Sequence, residues 1–211
     1  PFLVNNLCHV GNKWLFASTQ AGIISIDLPT KKIELRHKGE NIRNVAIYDG
    51  KLYILSDKQL TIEGFDGTES KTFSLPQSVL SFYKASSTYY FITSSTILLS
   101  DNLERFVSIP LRNNIPDNPH QISIADDGNG FSILLTKNAI WRIPHHLGFF
   151  NANPPIIAAC ASDKDLLYVN NQHELFRQKA GEQVATKIYD FENDELPKEM
   201  YANGEDIYYY N

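Results

Sequence analysis

Lys13–Thr19 (KWLFAST), Lys51–Asp57 (KLYILSD), Thr88–Ser94 (TYYFITS), Gly130–Thr136 (GFSILLT), Asp165–Asn171 (DLLYVNN) and Asp206–Asn211 (DIYYYN) are copies of one pattern. Each opens on a polar or charged residue (Gly130 in one copy), runs through aromatic and aliphatic residues, and closes on Ser, Thr or Asn, with Asp57 following the Ser in one copy. The copies recur about every 39 residues along the whole chain, and a fixed period of that size marks a repeat architecture. Before the copies stand NVAIYDG, ISIADDGNG, IAACASDKD and MYANGED, whose Asp-Gly and Asn-Gly pairs supply the positive φ that tight hairpins need. After them come GIISIDL, QLTIEGF, TILLSDN, AIWRIP and ELFRQKA, and most units close on a fourth segment: KKIELRH, SKTFSLP, ERFVSIP, QVATKIYD. The unit is four short antiparallel strands.

No stretch carries apolar residues at helical spacing over two turns, and strand-favouring Val, Ile, Thr, Tyr and Phe dominate. Only DFENDELPKEM near the C-terminus is expected to form a short turn of helix. The second strands are apolar at successive positions rather than alternating, so both faces of each small sheet should be covered. Four strands per period with two-sided burial predict an all-β chain of the β-propeller type. The expected blades cover roughly 7–38, 42–75, 78–111, 120–150 and 155–190, with a partial sixth over 199–211. Five blades and half of another leave an open edge. The chain is therefore expected to be a piece of a longer protein, of about seven blades in all.

Composition agrees. In 211 residues, 43% are hydrophobic and 12% aromatic, enough to build a core. Nineteen Lys and Arg against 24 Asp and Glu give a net charge of −5, which argues against a basic nucleic-acid binder. No apolar run is long enough to span a bilayer as a helix. Cys8 and Cys160 each sit in a short apolar segment and read as buried free thiols.

Asp126–Thr136 (DDGNGFSILLT), followed by Ala139–Ile143 (AIWRI), resembles the two-component-regulator propeller repeat, which runs roughly I-x-x-I-x-x-D-x-x-G-x-[IL]-W-[IV]-G-T-x-x-G-[IL]. Trp14–Thr19 with Gly22–Asp27 is similar to its second half, and Leu52–Ile62 is a further, degraded copy. The family's Gly before Thr is Ala, Leu or Ser here. The resemblance implies a periplasmic sensor domain of a membrane-spanning hybrid two-component or one-component regulator. It would respond to an oligosaccharide or another small polar ligand, reaching the membrane only through other parts of the parent protein. Homodimerisation through that parent is left open. The alternative is a non-catalytic propeller scaffold for protein partners.

No residue set argues for catalysis. Asp49, Asp126, Asp127, Asp163, Asp165 and Asp206 recur at first-strand ends, so they read as turn formers rather than as a glycosidase carboxylate pair. The DDGNG loop lacks the spacing and terminal Glu of a calcium loop. Adjacent His145 and His146 would point to opposite faces of a strand, and His9, His37, His120 and His173 are scattered. No cofactor or metal is expected. The hydroxyls of Ser18, Thr19, Thr93, Ser94, Ser95 and Thr136 repeat with the unit and read as turn residues too.

One asymmetry remains. In a propeller the between-blade loops and the second-to-third-strand turns share a rim. Here those segments hold Arg36-His37-Lys38, Asn41 to Asn44, Gln59, Arg112 to His120, Phe149 to Pro155 and Asn170 to His173. Guanidinium, amide and aromatic groups suit polyols or carboxylates. Arg43, Asn44, Arg112, Asn113, His120, Phe150 and His173 are the candidate ligand-binding residues.

Overall fold

The computed structural model describes residues 3–85, 87–111, 123–126, 132–136, 139–143, 149–151, 156–162, 165–179, 184–192, 195–197, 199–203 and 206–210. Among them every regular element is a β-strand, arranged in two compact units, Pro1–Pro110 and Leu111–Asn211.

The first unit holds three four-stranded meanders. Sheet 1 is β1 (Val4–Val10), β2 (Trp14–Thr19), β3 (Gly22–Asp27) and β4 (Lys32–Arg36). Sheet 2 is β5 (Asn44–Tyr48), β6 (Lys51–Leu55), β7 (Gln59–Glu63) and β8 (Lys71–Ser74). Sheet 3 is β9 (Ser81–Ala85), β10 (Thr88–Ile92), β11 (Thr96–Ser100) and β12 (Val107–Pro110). The second unit holds two more. Sheet 4 is β13 (Ser123–Asp126), β14 (Ser132–Thr136), β15 (Ala139–Ile143) and β16 (Phe149–Asn151). Sheet 5 is β17 (Ile156–Ser162), β18 (Asp165–Asn170), β19 (Glu174–Gln178) and β20 (Thr186–Asp190). A pair, β21 (Glu199–Asn203) and β22 (Asp206–Tyr210), completes it.

Every pairing is antiparallel between consecutive strands, because the turns are too short for a crossover. Tyr48 pairs with Lys51 across a two-residue loop in which Asp49 (φ 52°) and Gly50 (φ 70°) are both left-handed, the type I′ geometry that an Asp-Gly pair favours. Within each unit, successive sheets meet through their first strands: β1 lies beside β5 and β5 beside β9, while β13 lies beside β17 and β17 beside β21. First strands side by side, with later strands stepping outward, is how propeller blades assemble.

Burial follows strand position. β2, β6, β10 and β18 are buried along most of their length, as the unbroken apolar runs require, whereas β4, β8, β12 and β20 are largely exposed. Sheets 1 and 2 close on Phe16, Ile23, Val45, Leu52 and Ile54. Sheets 2 and 3 close on Tyr53, Leu55, Leu60, Phe82, Phe91 and Leu98. Fully burying such a side chain contributes about 1.5–3 kcal/mol, so these interfaces hold the unit together.

Two expectations are corrected. In DFENDELPKEM, expected to form a short turn of helix, the described residues are assigned to no helix: Asp190 ends β20, Glu199 and Met200 begin β21, and the Glu195 amide donates to the Glu192 carbonyl at 3.1 Å. Pro197 in the same segment has no amide to extend it. Phe149–Asn151 is not loop but the fourth strand of its sheet, Phe150 pairing with Ile140. Its Phe-Phe pair carries strand propensity that the following Asn-Pro signal obscured.

Candidate functional site

The rim begins at the hairpins that end the second strands. Thr19 Oγ1 donates to the Gly22 carbonyl at 2.7 Å and accepts from the Ala21 amide at 3.1 Å. Thr93 Oγ1 donates to the Thr96 carbonyl at 2.8 Å and accepts from its amide at 2.9 Å. In the second unit Asn170 Oδ1 accepts from the amides of Gln172 (2.9 Å) and Glu174 (3.0 Å). These are side chains substituting for backbone partners in a turn, as the periodic placement suggested.

Between-sheet connectors fasten onto the same hairpins. The Ile42 amide donates to the Thr19 carbonyl at 2.9 Å, Leu75 to Lys58 at 2.8 Å and Val79 to Asp57 at 2.9 Å. In the second unit Phe191 donates to the His173 carbonyl at 2.8 Å. Each unit therefore has a rim where connectors and second-to-third-strand turns lie together.

Arg43 and Asn44 stand on that rim and both are engaged. Arg43 Nη2 lies 2.6 Å from Asp57 Oδ1, its Nη1 donates to the Val79 carbonyl at 3.2 Å, and Ser78 Oγ donates to the same Asp57 oxygen. Asn44 Nδ2 donates to Ser81 Oγ at 3.3 Å. One repeat earlier, Asn5 Nδ2 donates to the Ile42 carbonyl at 2.7 Å, and Asn6 Oδ1 accepts from the Val45 amide at 3.2 Å. The polar pair that begins a first strand thus staples its sheet to the next one, twice in the same register.

His173 occupies the β18–β19 turn in the second unit with φ 69°, half-buried, its amide donating to the Asn170 carbonyl at 3.1 Å. Phe150 lies within β16. Arg112, Asn113 and His120 lie outside the described residues, as do Asp127, Asp163, His145 and His146. The described candidates fall in separate units: Arg43 and Asn44 in the first, Phe150 and His173 in the second.

A cluster that the sequence reading left unassembled lies between sheets 1 and 2. Glu63, at the end of β7, is buried to 3% side-chain exposure and pairs through Oε1 with Arg36 Nη2. Its Oε2 lies 3.1 Å from His37 Nε2, and His37 Nδ1 lies 3.5 Å from Glu40 Oε1. Arg36 also donates from Nη1 to the Phe65 carbonyl at 2.7 Å and stands 5.9 Å from the centre of the Phe16 ring. Burial lowers the Arg36 pKa from its ordinary value, yet a guanidinium stays protonated through the physiological range. With both carboxylate oxygens occupied, Glu63 acts as an inter-sheet clasp rather than a general base. The signal was available: Glu63 is a charge in a strand whose neighbours Leu60 and Ile62 are apolar.

Cys8 and Cys160 are free thiols, one in each unit. Burial pushes the Cys8 thiol up to about 12 and the Cys160 thiol to about 11, so neither is a ready nucleophile. Among the described residues no group of three or more His, Cys, Asp or Glu could hold a metal ion.

No protein-family model and no curated protein matches the sequence. Solved structures do. PorZ, an essential bacterial surface component of the type-IX secretion system of Porphyromonas gingivalis, aligns with 98% of this chain at 18% identity and TM-score 0.64. The extracellular domain of BT4673 from B. thetaiotaomicron, described as a one-component system in one structure and a hybrid two-component system in another, aligns with 96% of it. Identities there are 14% and 15%, with TM-scores of 0.67 and 0.65. YCF48 from Cyanidioschyzon merolae aligns with 89% at 12% identity and TM-score 0.63. This chain spans 29% of the PorZ chain and 30% of the BT4673 chains. At these identities the likeness is one of fold. It is the fold that the repeat resemblance implies.

Proposed function

We propose that the chain belongs to an extracytoplasmic propeller, of about seven blades in the whole protein, that senses a polar ligand for a membrane-spanning regulator. The carrying observation is the alignment over 96% of its length with the extracellular domain of a regulator of that kind. The domain is read as periplasmic and non-catalytic, with an oligosaccharide or other small polar molecule as ligand. Since Arg43 and Asn44 are engaged in stapling sheets, the recognition groups are assigned first to the connector residues Arg112, Asn113 and His120, with Phe150 and His173 in the same unit.

A second reading is favoured by the likeness to a surface component of a secretion system: a scaffold whose rim meets other proteins. A thermal-shift panel of oligosaccharides on the protein made from its complete reading frame separates the two. A ligand at 100 times its Kd adds about 2.7 kcal/mol of stability. The sensor reading expects such a shift from at least one glycan, reduced by Arg112→Ala with His120→Ala. Stabilisation by a protein partner and by no glycan would establish the scaffold instead.

A further inference from the structure

Sheets 2 and 3 meet on an aromatic seam that brings two phenols together. Tyr53, on β6, is 4% exposed, whereas Tyr89, on β10, is only half-buried. Their ring centres lie 6.2 Å apart at an interplanar angle of 37°. Burial raises the Tyr53 phenol above its ordinary pKa, and the Tyr89 hydroxyl beside it adds to the rise. The hydroxyl ends of the two rings are therefore neighbours across the seam.

Surrounding groups fix that arrangement. Phe82 stacks on Tyr53 at 6.2 Å, and Tyr48 meets it edge-on at 5.4 Å. Lys84 Nζ lies 5.8 Å from the centre of the Tyr89 ring and 2.7 Å from Asp49 Oδ2. Close packing of this kind holds side chains to few rotamers. The neighbouring tyrosine pairs are placed differently. Tyr48 crosses Tyr53 at 87° and Tyr83 at 82°, edge to face, while Tyr83 and Tyr90 are cross-strand partners inside sheet 3. Of these pairs, only Tyr53 with Tyr89 joins two sheets with the rings tilted rather than crossed.

We propose that Tyr53 and Tyr89 form a modification site, at which a one-electron oxidant couples them into a dityrosine that ties sheet 2 to sheet 3 covalently. Tyr89 reaches water, so it gives an electron to the oxidant and its hydroxyl proton to solvent. The Tyr53 hydroxyl then passes a hydrogen atom to the Tyr89 oxygen, which moves the radical inward and restores Tyr89. A second oxidation of Tyr89 leaves two phenoxyl radicals side by side. Their spin lies partly on the Cε carbons next to the hydroxyl-bearing carbon, and one such carbon of each ring joins the other. Each of these carbons passes its hydrogen to the oxygen of its own ring, restoring both phenols. Two electrons have gone to the oxidant and two protons to water, and nothing else is gained or lost.

Protein made from its complete reading frame is oxidised with light-excited tris(bipyridyl)ruthenium(II) and persulfate, digested with trypsin and mapped by mass spectrometry. The expected product joins residues 52–58 to residues 85–105 and is lighter than the two peptides together by two hydrogen atoms. It should carry dityrosine fluorescence, form on the monomer, and be lost when the oxidation is run in denaturing urea. Tyr53→Phe and Tyr89→Phe each remove one oxygen and keep the ring, so each should abolish the product, whereas Tyr90→Phe should retain it. A link that survives in urea, or that runs through Tyr90, overturns the proposal. Exhaustive oxidation of the folded parent without this link overturns it as well, and that result needs no variant to fold.

Discussion

Leu7 in sheet 1 and Val45 in sheet 2 hold the same place in the repeat, yet one is 57% exposed and the other 2%. Both are aliphatic residues in first strands, and both sit on the face of their sheet turned away from the following sheet. What differs, within the first unit, is that sheet 1 packs on Val45 while none of its described sheets packs on Leu7. Burial in a stacked architecture is thus a property of the neighbouring unit more than of the residue, as nearest-neighbour stability in repeat proteins requires. The polar clasp sharpens the point. Glu63 is sustained in the sheet 1–sheet 2 interface only because Arg36 and His37 reach it from the sheet before.

Placing a charge at each member of the pair would break the comparison most sharply. Val45→Asp buries an unpaired carboxylate and is expected to cost more than about 4 kcal/mol, read as loss of the cooperative urea transition. Leu7→Asp in the 211-residue chain should stay within about 0.5 kcal/mol. Equal costs would mean that the first sheet's face is already covered.

Glu63→Ala is expected to destabilise by about 3 kcal/mol, because Arg36 is left in the interface without its carboxylate. Joint replacement by apolar residues, Arg36→Met with Glu63→Leu, should recover most of that loss. Chemical denaturation of the single and double variants measures the coupling directly.

The hairpin caps come next. Thr93→Ala removes the hydroxyl that satisfies the Thr96 backbone and is expected to cost about 1 kcal/mol in the same denaturation assay. Thr93→Ser should retain most of the stability.

The smallest effect is a dependence on alkaline pH. Burial raises the Cys8 thiol from 9.0 to about 12 and the Tyr48 phenol from 10.0 to about 12. Both groups stay neutral longer in the folded chain than in the unfolded one. Their contribution is therefore complete below pH 9 and declines as pH rises from there toward 12. Melting temperatures followed across that window should fall less steeply in Cys8→Ala with Tyr48→Phe than in the parent, and parallel curves would refute the assignment.

The candidate site was less legible than the sheets. Threonines ending the second strands could be read as turn formers because Thr19 and Thr93 recur with the period, and a turn is decided within four residues. Arg43 and Asn44 looked like free ligand-binding groups, since a rim position is visible in sequence but a staple to Asp57, Val79 and Ser81 is not. Those partners are 14 to 37 residues away. Phe150 reads as loop in the sequence because its strand is only three residues long and its partner Ile140 belongs to another strand.

The sequence by itself determined the strand content, the period, the antiparallel order and the caps. Each of these rests on interactions within a few residues or on side-chain alternation along one strand, and both are written locally. Tertiary structure alone decided which apolar face is covered, which charges meet as Arg36, His37 and Glu63 do, and which polar groups are engaged across sheets. Those outcomes depend on desolvation and on distances between residues about one repeat apart. No local pattern carries that information, because the same side chain is buried or exposed according to what stacks on it.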